Sequence, residues 1–176
     1  MLIAIDAGVE HRDALAAGAI AGTRLLMLHS EQDAIAQITQ MLMRHPAKSL
    51  HIVTHGSPGC LHFSSGDVTF KNLHFYAKEI ESWFSYRSAS LGSKVKVKDP
   101  ESFLSLYACN LAMGDAGSEF LENLHHLVGV SVHASRTKVG SMVQGASWQL
   151  GVSYPFDCQY QFPFTDDLRE TYDTAS

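Results

Sequence analysis

Five short runs of this chain, Leu2–Ile5, Arg24–Leu28, Leu50–Thr54, Phe103–Ala108 and Val130–Ala134, are largely apolar, and each stops at a polar or small residue. A strand wetted on one face alternates polar with apolar residues, whereas runs that scarcely alternate belong to strands covered on both faces. Segments with helical spacing lie between them. Asp13–Ile20 is alanine-rich and closes near Gly22. Ile35, Ile38, Met41 and Leu42 form one stripe, with Ser30 as the expected cap, Asp33 near the positive end and Pro46 as the stop. A third helix is expected from about Asn72 to Trp83, and a fourth over Asp115–Val128, stopped by Gly129. Strands alternating with helices imply right-handed crossovers and parallel pairing. The expected fold class is α/β: a three-layer α/β/α sandwich with a mostly parallel central sheet of about six strands, the last over Trp148–Val152.

At 176 residues the chain is long enough to bury a core without disulfide or metal staples. We expect a single domain over residues 1–165. Residues 56–70 read as a small hairpin or extended excursion. Residues 85–100 read as an inserted loop or hairpin whose run Lys94-Val95-Lys96-Val97-Lys98 guards an edge, or as an exposed partner-binding loop. Residues 166–176 read as an acidic flexible tail.

Two of the apolar runs end in residues that do chemistry. Leu50–Thr54 stops at His55, after which Gly56, Pro58 and Gly59 forbid a continued buried strand. Phe103–Ala108 closes on Cys109, followed by Asn110 and, shortly after, Gly114. In a parallel sheet the C-terminal edge is where ligands collect, because the loops leave the core there. A thiolate becomes a good nucleophile when an imidazole beside it takes its proton, so His55 and Cys109 are the candidate base and nucleophile. The N–H groups of Gly56 and Cys109 are candidate oxyanion donors.

Several function classes fall away. A net charge of -5 disfavours a dominant nucleic-acid surface. The first turn lacks a Gly-x-Gly-x-x-Gly cradle and no P-loop occurs, so no nucleotide or other cofactor is expected. Ser57 follows His55, yet no Gly-x-Ser-x-Gly elbow exists. The ten histidines invite a zinc site from His51, His55, Cys60 and His62, but the spacing fits no compact motif and strand geometry is expected to scatter these side chains, so no metal is expected. His51 reads instead as a hydrogen-bonded core histidine. The odd count of three cysteines leans towards reduced thiols, with Cys60 and Cys158 structural or incidental. No run reaches membrane-spanning length and Met1–Asp6 is no signal peptide. The expected location is the cytoplasm, or a larger exported protein of which this is a part; nothing in the sequence selects an oligomeric state.

The blocks Thr54-His55-Gly56-Ser57-Pro58-Gly59 and Tyr107-Ala108-Cys109-Asn110, each behind an apolar strand, resemble the histidine and cysteine blocks of the caspase–gingipain–separase superfamily of cysteine peptidases (clan CD). The resemblance is closest to a bacterial domain family of unknown function whose members sit at the head of large surface or adhesin-like proteins. It extends to the opening strand with Asp6, the small residues from Ala112 to Gly117, and Val132–Ser135. It implies a caspase-like fold in which His55 is the general base and acid, Cys109 the nucleophile and Gly56 an oxyanion contributor. Asp6, Asn110 and Ser135 are the implied substrate contacts, with Asp6 favouring Arg or Lys. The implied substrate is a peptide or protein, including the chain itself or a fused or neighbouring protein. One departure stands out: members commonly carry a glycine soon after the cysteine, and here Asn110-Leu111-Ala112-Met113 precede Gly114.

Three readings follow: a caspase-like cysteine peptidase with a His–Cys dyad, a catalytically inactive caspase-like protein-interaction module, and a small-molecule hydrolase or flavodoxin-like binder.

Overall fold

A computed structural model describes residues 1–87, 96–140, 145–155 and 159–171. In chain order the elements are β1 (Leu2–Ile5), α1 (Arg12–Ala17), β2 (Arg24–Met27), α2 (Ala34–Arg44), β3 (Ser49–Val53), β4 (His55–Ser57), β5 (Cys60–Phe63) and β6 (Gly66–Thr69). There follow a 3₁₀ turn over Leu73–Tyr76, α3 (Ala77–Ser82), β7 (Ser85–Arg87), β8 (Lys96–Lys98), β9 (Phe103–Tyr107), α4 (Gly114–Val128), β10 (Ser131–Ala134), β11 (Val152–Tyr154) and α5 (Asp166–Thr171).

The fold is α/β. Its central sheet has six strands in the order β11-β10-β9-β3-β1-β2. All its pairings are parallel except that of the edge strand β11 with β10. The apolar runs are thereby explained: Leu2, Ala4, Leu50, Ile52, Leu104 and Leu106 enter one core, with α2, α3 and α4 supplying Ile35, Ile80 and Phe120. Ile3, Ile5, Val53 and Tyr107 enter a second core, with Leu15 of α1 and Leu168 of α5.

Several boundaries differ from expectation. Asp33, not Ser30, caps α2: its carboxylate accepts the Ala36 N–H at 2.8 Å. Helix entry is delayed because the Gln37 side chain bonds both backbone groups of His29 and the Gln32 carbonyl, holding the preceding turn. The last strand is Val152–Tyr154, since Trp148 and Leu150 bury into the second core without pairing in a strand. The third helix divides into the 3₁₀ turn and α3. Where the acidic composition suggests a flexible tail, Asp166–Thr171 forms a helix that places Leu168 against Gly18, behind an isolated bridge between Ala19 and Phe164; residues 172–176 lie outside the described residues.

The excursion after His55 is a three-stranded antiparallel sheet, β4-β5-β6. The 85–100 segment carries the β7–β8 hairpin, and Lys98 does more than guard an edge. Its Nζ donates to the Leu127 and Val128 carbonyls, countering the negative end of α4. Among the described residues no helix is long and apolar enough to cross a membrane.

Candidate functional site

The register of β3 and β9 sets Val53 opposite Tyr107, and the Thr54 N–H donates to the Tyr107 carbonyl at 3.2 Å, one step beyond the strand. There the two chains part. Gly56 lies so close to β9's end that a Cβ on it would sit 2.8 Å from Ala108 Cβ and 3.0 Å from the Cys109 carbonyl oxygen. Gly59, at φ +70, comes equally close to Ala116, and its N–H donates to the Leu111 carbonyl. The glycines of the histidine turn thus let it nest on the cysteine loop.

Cys109 is half-buried and packs against the core on the α1 side. The His55 ring rests on the turn that leads into α1: Nε2 lies 3.0 Å from the Gly8 carbonyl oxygen and 3.5 Å from Glu10 Oε2. A carbonyl only accepts, so Nε2 carries the hydrogen and Nδ1 of the neutral ring keeps its lone pair. The Cys109 sulfur accepts the Val139 N–H at 3.3 Å and faces the Val139 carbonyl at 3.9 Å. Among the described residues no bond joins the His55 ring to this sulfur. Glu10 was not visible as a site residue from sequence; its only mark is an acid two residues beyond a strand-end glycine.

The remaining expected contacts have structural partners. Asp6 is 2% exposed, and its carboxylate accepts from the Ser64 N–H and hydroxyl and from the Gly8 N–H. It anchors the β5–β6 turn to the end of β1. Ser135 is buried and its hydroxyl bonds Thr137. Asn110 has φ 57, the left-handed conformation, and its N–H donates to the Thr137 carbonyl. The glycine missing after Cys109 is thereby accounted for: Asn is among the few other residues that enter this region at modest cost. An open pocket of about 470 Å³ lies at the same sheet edge, lined by residues that include Ala7, Arg12, His29 and Glu31.

A second constellation occupies the small sheet. His62 Nδ1 is 2.8 Å from Asp67 Oδ1 and 3.5 Å from Cys60 Sγ, and its Nε2 is 2.8 Å from Ser57 Oγ. The expectation that strand geometry scatters the histidines and Cys60 holds for His51, enclosed in the main sheet, and fails for Cys60 and His62. Residues two apart on a strand share a face, and these two do. Burial, with the Asp67 carboxylate adding to it, pushes the Cys60 thiol up to about 11. Cys158 lies outside the described residues.

Beneath the edge, His51 and His133 are fully enclosed on either side of Ser105. The His51 ring stacks on Tyr107, and neither of its nitrogens has a hydrogen-bond partner among the described residues, contrary to the expected bonded histidine. Desolvation pulls His51 down to about 3 and His133 to about 4, so both stay neutral.

The model of a family described as "Domain of unknown function (DUF4347)" matches residues 2–175, and the chain belongs to that family. No curated protein and no solved structure matches it.

Proposed function

We propose that this domain is a caspase-like cysteine peptidase, with Cys109 as nucleophile and His55 as general base and acid. We read the fold as the three-layer α/β/α sandwich of that superfamily, a reading supported by the parallel sheet with apolar cores on its two faces. The observation that carries the functional reading is the contact of Gly56 with Ala108 and Cys109, which seats the histidine turn directly on the cysteine's backbone.

In the proposed reaction Sγ leaves the Val139 groups and gives its proton to His55 Nδ1. The sulfur attacks the scissile carbonyl carbon, and the N–H groups of Gly56 and Cys109 receive the oxyanion. The C–N bond breaks as His55 returns the proton to the leaving amine. Water, deprotonated by the same nitrogen, then hydrolyses the thioester and frees Cys109. Gly8 and Glu10 hold the ring through Nε2, and the Glu10 carboxylate offsets the charge of the imidazolium. The substrate is a peptide or protein, with the chain itself or a fused or neighbouring protein among the targets.

The test is labelling of the purified chain with a peptidyl electrophile, read by mass mapping. Modification confined to Cys109 and strongly slowed in His55→Ala is expected. Equal labelling of both chains would sink the dyad and favour the second reading, an inactive interaction module. That reading draws on the absence of a bond between the two groups.

A further inference from the structure

The proposed peptidase chemistry draws on His55 and Gly56 of β4 and leaves the other polar groups of the small sheet unused. In β4-β5-β6, Ser57 pairs with Cys60, and His62 pairs with His55 on one side and Asp67 on the other. Leu61, Phe63 and Val68 point to the core, so Ser57, Cys60, His62 and Asp67 share the opposite face.

We propose that Cys60 Sγ, His62 Nδ1 and Asp67 Oδ1 form a binding site for a divalent transition-metal cation of the zinc type. The three atoms lie within 4.8 Å of one another. Sulfur, imidazole nitrogen and carboxylate oxygen are the donors a borderline-soft ion selects. Geometry agrees with chemistry. Ligands at about 2.3 Å (sulfur) and 2.0 Å (nitrogen) from a tetrahedral ion stand about 3.5 Å apart, and Sγ and Nδ1 are separated by 3.5 Å. The Nδ1 to Oδ1 gap of 2.8 Å is a hydrogen-bond length that widens by roughly half an ångström when an ion replaces the shared proton. Asp67 is exposed, on a short strand, and free to make that move.

The second nitrogen of the ring is anchored as a metal ligand's would be. A histidine that ligates through one nitrogen almost always anchors its other N–H on an oxygen, and Nε2 is 2.8 Å from Ser57 Oγ. On binding, the proton of Cys60 leaves to solvent and the ring carries its hydrogen on Nε2, with the Ser57 hydroxyl as acceptor. The buried side of the site is closed by Cys60, while half-exposed His62 leaves a fourth position open to water. An ion held there ties β5 to β6 and, through Ser57, to β4.

Titration of the purified chain with Co²⁺ tests this, read by the thiolate-to-cobalt charge-transfer absorption in the near ultraviolet. One equivalent is expected to develop the band and Zn²⁺ to bleach it. The band persists in Cys109→Ser and is lost in Cys60→Ser. Ser57→Ala, which removes the oxygen that anchors His62 Nε2 and borders the Cys60 thiol, weakens binding roughly 10- to 100-fold, and Asp67→Asn weakens it as well. If Cys60→Ser fails to fold, as judged by near-ultraviolet circular dichroism, the exposed Asp67→Asn and the Ser57→Ala chains decide. Unchanged cobalt affinity in both overturns the site, as does a band that survives in folded Cys60→Ser.

Discussion

Cys109 stands half-exposed at the end of a parallel strand, and among the described residues its sulfur bonds backbone groups of Val139. Cys60 lies buried on an antiparallel hairpin, with the side chains of His62 and Asp67 beside it. Parallel strands release their chains at one edge, where loops wrap backbone around a side chain and leave it room to move. An antiparallel hairpin repeats its register, so side chains two apart and directly opposite are pressed into one cluster. The first arrangement suits a group that must turn toward a substrate; the second suits groups that must converge on one point.

The strongest way to break that contrast is to compare the two thiols in the folded chain. Cys109 is expected to alkylate with iodoacetamide at least roughly 100-fold faster than Cys60, whose buried thiol is almost wholly protonated near neutral pH. Under a peptidyl electrophile, His55→Ala should cut the Cys109 rate by about 10²- to 10⁴-fold. Equal rates for the two sulfurs would erase the distinction.

A second experiment concerns the floor beneath the edge, where His51 and His133 are enclosed without charge. Their folded values, about 3 and about 4, lie below the ordinary 6.5. The unfolded chain therefore takes up protons first as pH falls. Stability is full above about pH 6.5 and declines below it, until the folded values are passed. Urea denaturation at pH 7 and pH 5 should differ by on the order of 2 kcal/mol for each ring. The double variant His51→Leu/His133→Leu flattens the profile, and an unchanged slope would place the titration elsewhere.

Smaller effects sharpen the seam between the two regions. Gly56→Ala forces a carbon against Ala108 and the Cys109 carbonyl and should cost about 1–3 kcal/mol in urea melts. At Asn110, alanine should cost about 1 kcal/mol for its left-handed backbone, while glycine should cost nothing and keep Cys109 reactive. A neutral Asn110→Ala would show that the loop relaxes around the cysteine.

The parallel sheet was legible because burial on both faces leaves runs such as Leu2–Ile5 with no polar member. Where burial occurs without pairing the signal misleads: Trp148 and Leu150 alternate like a strand, yet β11 begins at Val152. A single Leu168 among acidic residues holds α5 down, too little to register as a pattern. His55 and Cys109 are legible because both stand at strand ends, which sequence marks well. Cys60 and His62 stand together in the sequence, but Glu10 and the arrival of Asp67 beside them depend on turn paths and hairpin register, which a linear reading does not contain. Asn110 shows the same limit, since its likeness to glycine lies in φ and not in composition.

At Gly56 a hydrogen stands where any other residue carries a carbon, so the small sheet rests on Ala108 and Cys109 with no movable side chain between them. Close-packed protein matter compresses little. At such a joint the hairpin bears directly on the backbone of Cys109, with no side-chain rotation between them to take up a displacement.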